Sequence, residues 1–227
     1  AQTNDAAAQE LLAGAASDAP VYQQIKAKFI DGGVGFMAAV LLCLILGLAV
    51  AIERIIYLSL STTNTSKLIA KVEDALNNGG VEAALEVCRN TRGPVASIFY
   101  QGLSRMDQGL EAVEKSVVSY GGVQAAQLET GLTWLSLFIA MSPNLGFLGT
   151  VIGMIGAFDA IQAAGDISPI VVASGIKVAL ITTVAGLIVA LILQVFFNYI
   201  TSKVESLVIT MEDASVSLID ILVKAKK

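Results

Sequence analysis

Three apolar runs divide this chain, and the polar stretches between them keep a helical beat. Residues 32–52 carry no charge, are rich in Leu, Val and Ala, and end at Glu53 and Arg54. Residues 130–158 are also uncharged, and 169–200 hold Lys177 as their one charge. About 20 apolar residues cross the hydrocarbon core of a bilayer, so each run predicts a transmembrane helix. The two later runs exceed that thickness, which predicts helices projecting beyond the membrane.

The intervening residues 53–129 read as amphipathic helices. Ser66 is a candidate cap for a first one, which stops at the turn signal Asn77, Asn78, Gly79, Gly80. A second is expected over 81–89, and Pro94 suits the first turn of a third, where its missing N–H costs little. From Leu110 the positions Leu110, Val113, Val117 and Ala125 keep an approximate helical period that carries into the second span. Gly121 and Gly122 weaken that helix and predict a bend. Residues 204–223 mix apolar and acidic positions as an amphipathic continuation of the third span. Ahead of the first span Val21, Ile25 and Phe29 recur every fourth residue, the pattern of a short helix lying on a membrane surface. Residues 1–18 are small and polar and are expected to be mobile.

Lysines and arginines orient the whole, because they collect on the cytoplasmic side. The short loop at 159–168 has none, whereas 53–129 holds Arg54, Lys67, Lys71, Arg89, Arg92, Arg105 and Lys115. The tail adds Lys203, Lys224, Lys226 and Lys227; Lys26 and Lys28 count against this orientation. The expected fold class is therefore an all-α integral membrane protein of three transmembrane helices, the second and third extended into a cytoplasmic helical bundle. Its parts are a periplasmic N-terminal segment (1–31), the first span (32–52) and a cytoplasmic helical domain (53–129). The second span (130–158), a short periplasmic loop (159–168), the third span (169–200) and a cytoplasmic C-terminal helix (201–227) follow. The chain opens at Ala1, and a processed leader would fit an N-terminus outside the cytoplasm.

Composition narrows the chemistry. Hydrophobic residues make up 55% of the 227 and charged ones 15%, with a net charge of -5 that gives no sign of nucleic-acid binding. There is no histidine, so His-based metal sites, bases and proton relays are excluded. Cys43 sits in the first run and Cys88 in a polar segment, which argues against a disulfide between them. No nucleophile–base pair or metal cluster suggests an enzyme, and no metal or organic cofactor is expected.

The second and third spans carry the candidate chemistry. Gly146, Gly149, Gly153 and Gly156 are spaced as one face of a helix, which lets another helix approach closely in lipid. Gly175, Ala179, Thr182 or Thr183, Gly186 and Ala190 form a second small-residue face. Antiparallel spans would bring Thr150 and Thr183 to similar depths. Each hydroxyl could simply bond its own backbone one turn back, or together they could line a polar path. No span contains a carboxylate: Glu53, Glu129, Asp159 and Asp166 lie at or beyond the ends. A proton path needs a titratable carrier, so a partner would have to supply it. The same hydroxyls and carbonyls would also suit sodium. Lys177 is either a candidate pore-mouth charge or a lysine snorkelling to the headgroups. Pro143 calls for a rearranged turn, with Asn144 able to satisfy a freed backbone group. Glu53 and Arg54 mark a membrane boundary, where the carboxylate could also pair across subunits, and Tyr57 and Trp134 fit interfacial anchors.

These residues resemble the MotA/TolQ/ExbB family. The stretch ERIIYL at 53–58 follows the first span as it does there, and SPNLGFLGTVIGMIGAF at 142–158 is similar to the family's second-span signature. Gly175 with Ile176, Ala179 with Leu180, TTVAGL at 182–187 and Asn198 with Tyr199 match the third. MotA proteins carry an additional span, so the resemblance is closer to ExbB or TolQ, and the long N-terminal segment favours ExbB. Two positions depart from the pattern: no proline follows Gly186 and Leu187, and Val178 stands where ExbB proteins often have glutamate. The resemblance implies a homopentamer in the bacterial inner membrane with its N-terminus in the periplasm. Single-span ExbD-like subunits, each with an intramembrane aspartate, would sit inside it facing Thr150 and Thr183. It implies protons as the coupling ion and a TonB-like protein as the recipient of the work. A TolQ-like envelope-maintenance motor and a passive membrane scaffold are the alternatives.

Overall fold

The computed structural model describes residues 21–164 and 169–225. The expectations for 1–18, Asp166, Lys226, Lys227 and the side chain of Val21 lie outside them. Every described element is helical: α1 (Val21–Asp31), α2 (Val34–Ser61), α3 (Thr65–Arg89), α4 (Pro94–Leu103), a 3-10 turn (Met106–Gln108), α5 (Leu110–Glu129), α6 (Leu132–Ala164) and α7 (Pro169–Ala225). Three of them carry stretches long and apolar enough to cross a membrane. Only 22%, 22% and 28% of those stretches is buried within the chain. The rest of that apolar surface has to be covered by lipid or by other chains.

Local chemistry sets the ends. Helix α3 is capped by Asn64, whose side chain accepts from the Lys67 N–H at 3.1 Å. Ser66 is therefore inside the helix, and the stronger capping residue two positions earlier takes the role. The expected stop at Asn77–Gly80 is one residue wide: Gly80 alone leaves helical geometry, at φ 74, and the helix resumes to Arg89. Pro94 opens α4 as expected, behind Gly93 at φ 121.

The expected bend at Gly121 and Gly122 does not occur, since α5 runs through both to Glu129. The break lies at Thr130, with ψ 136, and Gly131, with φ 87. Only a residue without Cβ adopts that φ at little cost. A glycine pair weakens a helix without obliging it to turn; a left-handed glycine obliges it. Helix α6 also continues to Ala164, past the expected end of the second span at 158.

The chain forms two compact units, Ala1–Gly47 with Leu137–Leu193, and Leu48–Ser136 with Gln194–Lys227. In the second unit α4 buries Pro94, Val95, Ala96, Ile98, Phe99, Gly102 and Leu103 and leaves Tyr100 exposed. Gly102 lets α5 close on it, since a Cβ there would lie 2.6 Å from a Val117 methyl. The second half of α7 buries Ile200, Val204, Leu207, Met211, Ala214, Leu218 and Ile221. That alternation of four and three is a coiled-coil seam, a sharper pattern than a generic amphipathic face.

Cys88 is buried in this unit and Cys43 in the other, both as free thiols. Burial pushes the Cys88 thiol up from 9.0 to about 11. The folded state then holds this proton more tightly than the unfolded chain, so the stabilisation is complete below pH 9.0 and is lost as pH rises towards about 11. Denaturant titrations at pH 8 to 11 should show this decline, and Cys88→Ala should remove that part of it. An identical slope in the variant would assign the decline to other groups.

Candidate functional site

In the first unit α6 and α7 run antiparallel along a seam of small residues. A Cβ on Gly146 would lie 2.9 Å from the Thr182 carbonyl oxygen and 3.0 Å from the Thr183 Cα. One on Gly149 would lie 2.8 Å from the Thr182 hydroxyl, and one on Gly153 would lie 3.4 Å from the Ala179 Cβ. Gly186 sits so close to the Ser142 carbonyl that a Cβ would overlap it, and Gly175 meets Ala157 in the same way. Gly156 is exposed, with nothing within 4 Å of a Cβ. The fourth α6 position on the seam is therefore Ala157. At about 100° per residue, 157 returns to within roughly 20° of Gly146, while 156 falls about 80° away.

This close approach brings the expected threonines together. Thr150 Oγ1 donates towards the Gly146 and Ala179 carbonyls, each at 3.2 Å, and meets Thr183 Oγ1 directly. Thr183 Oγ1 is 3.1 Å from the Gly146 oxygen and 3.4 Å from that of Ala179. Each hydroxyl reaches back one turn to its own backbone, and each also crosses to the other helix. Thr182 differs. It is 1% exposed, and its hydroxyl bonds the Ala179 carbonyl at 2.8 Å deep in the seam. Thr150 and Thr183 are half-buried, with part of each side chain at the open edge.

Around them the spans are apolar. Leu148, Val151, Ile152, Leu180, Val184 and Leu187 are all exposed. Pro143 lies inside α6, and the side-chain bond near it comes from Ser142, whose hydroxyl donates to the Phe138 carbonyl at 2.8 Å. Asn144, expected to take that part, is exposed instead.

Lys177 makes an ion pair with Asp31 at the end of α1, Nζ to Oδ2 2.7 Å. That hydrogen bond, aided by the charges of Lys177 and Lys28, holds the Asp31 carboxyl below its usual range. Nothing in the sequence pattern links two residues this far apart, and the pairing comes from the turn at Gly32 and Gly33, which packs α1 onto α7 beside Ile181 and Val178.

In the second unit Glu53 and Arg54 form a two-bond pair at 2.6 and 2.9 Å, and the guanidinium lies 4.9 Å from the centre of the Tyr57 ring. The Arg54 stem packs on Gly131, so the boundary pair also covers the break before α6. Tyr57 and Trp134 are both exposed, as anchors would be.

Comparison with known proteins identifies the family. Over 162 residues the chain is 35% identical to a putative biopolymer transport protein ExbB homolog of Methanothermobacter thermautotrophicus, covering 71% of this chain and 57% of that one. It is 31% identical over 179 residues to a putative biopolymer transport protein ExbB-like 1 of Synechocystis sp., covering 77% and 70%. It is 37% identical over 113 residues to a biopolymer transport protein ExbB of Xanthomonas campestris, covering 50% and 43%. The sequence profile of one family matches residues 90–213, which hold the whole α6–α7 seam. The chain is a multi-pass membrane protein that belongs to the MotA/TolQ/ExbB proton channel family.

Proposed function

We propose that this chain is the channel-forming stator subunit of a proton-driven motor in a bacterial inner membrane. Five copies surround single-span ExbD-like partners, and the work energises TonB-dependent outer-membrane transport. The observation that carries this reading is the convergence of Thr150 and Thr183 on two backbone carbonyls at the open edge of a small-residue seam. These groups accept and donate hydrogen bonds but hold no charge at neutral pH. A carboxylic acid on a partner helix would find there both an acceptor for its proton and donors for its anion. The apolar surroundings make each such contact stronger than in water. Thr182, buried inside the seam, is assigned to helix packing.

Internal satisfaction of the Thr150, Thr182 and Thr183 hydroxyls favours one competitor, a passive scaffold whose seam only assembles partners. The two readings separate in cells that carry Thr150→Val or Thr183→Val with the neighbouring single-span protein. Interhelical hydrogen bonds in membranes contribute only about 0.6 kcal/mol on average, so the isosteric variants should fold and co-purify with the partner. The expected result is an intact complex whose cargo uptake falls to background. Normal uptake by both variants would leave the scaffold reading standing.

A further inference from the structure

An apolar groove of about 670 Å³ runs along the first unit. Phe29 of α1, Met37 and Leu44 of α2, and Leu180, Val184 and Ile188 of α7 line it, and Lys28 supplies its one charged side chain. Leu180, Val184 and Ile188 repeat every fourth residue, and each is more than half exposed. Eight residues of helix rise about 12 Å, close to the roughly 15 Å depth of one leaflet.

The charge sits at one end of this stripe. Asp31 binds Lys177, and Gly32 packs against Ile181, so α1 is held at the level of residues 177–181 of α7. Lys28, one turn earlier, is brought to that end. Asp31 is bonded directly to Lys177, while Lys28 acts on it only through its charge and forms no ion pair among the described residues. An exposed ammonium with no direct ion pair, at the head of a leaflet-deep apolar groove, matches one amphiphile: a phosphate on the lysine and an acyl chain along the stripe. A protein helix would need an acid at one matching position and gains nothing from the groove's length. The geometry points to a bound anionic phospholipid, seated by its headgroup on Lys28 and by one chain between α1, α2 and α7. This site does not depend on the ion-path reading.

The test uses the full chain in nanodiscs of equal phosphatidylglycerol and phosphatidylethanolamine, extracted into mild detergent. Retained lipid is counted by native mass spectrometry. Wild type should keep phosphatidylglycerol in preference, and Lys28→Gln should cut that preference by roughly fivefold, as expected for one lysine near an anionic lipid. Lys26→Gln, which alters an exposed lysine outside the groove, should change nothing. Ala185→Phe, which fills the groove, should lower retention of either lipid. Equal retention of the two lipids by wild type, or an unchanged preference in Lys28→Gln, would overturn the site. So would a disulfide between two chains carrying Val184→Cys, because a second copy would then cover the groove.

Discussion

Gly186→Leu is expected to abolish accumulation of the folded protein in the membrane, and Gly186→Ala to weaken it measurably. A Cβ at this position overlaps the Ser142 carbonyl oxygen, lies 3.2 Å from its carbon and 3.3 Å from the Gly146 Cα. All three are backbone atoms of the facing helix, so no rotamer change relieves the clash. The helices must separate by most of an ångström even for alanine, and overpacking of that kind costs about 1–3 kcal/mol. Leucine requires a larger displacement, and the seam then loses the contacts at Gly146, Gly149 and Gly153 together. Gly156→Ala is the matched control. No atom lies within 4 Å of its Cβ, so helix propensity alone acts and favours alanine by about 1 kcal/mol. Melting in detergent, followed by size-exclusion chromatography, should place Gly156→Ala at or above wild type and Gly186→Ala below it. Equal melting of the two would mean that the seam does not depend on contact at this glycine.

These two glycines also mark how far the sequence could be read. Membrane spans, helical class and the meeting of Thr150 with Thr183 follow from hydropathy, spacing and an antiparallel hairpin. Each of these is set by short-range pattern or by a rule of lipid solvation. Which glycines touch another helix depends on the rotation of α6 about its axis. The spacing of three, four and three drifts off a straight line within three turns, and Ala157 replaces Gly156 on the seam. Gly47, which lets Leu193 pack within 2.6 Å of a Cβ position, looked like any other residue of an apolar run. The helix break falls at Gly131 and not at Gly121 and Gly122 for a related reason. Composition marks both the pair Gly121, Gly122 and the single Gly131 as weak points, but only tertiary packing, here the Arg54 stem on Gly131, selects one. The Asp31–Lys177 pair had no local signal at all, because it joins residues that only the folded chain brings together.

Phe99→Ala should be the most damaging single change in the second unit. Phe99 is fully buried on a helix whose two flanking helices, α3 and α5, both pack against it. Truncating a buried phenylalanine costs about 3–5 kcal/mol, from lost transfer energy and from the cavity left behind. Typical domains have about 5–15 kcal/mol in total, so the loss is a large share of what holds α3, α4 and α5 together. A cost of about 3 kcal/mol raises the open population by roughly a hundredfold. Proteolysis follows that population when opening is fast relative to cleavage, so cuts within 53–129 should accelerate accordingly. Tyr100→Ala, one residue away and exposed, should leave the cleavage rate near that of wild type. If both variants resist protease equally, α4 is not the core of this unit. The comparison also bears on the motor. Gly102 lies one turn along α4 from Phe99 and packs against Val117 of α5 and Leu218 of α7, while α7 carries Thr183 in the same unbroken helix. Uptake lost in Phe99→Ala but kept in Tyr100→Ala, with the seam residues unaltered, would show that transport needs this unit ordered as well as the hydroxyls in place.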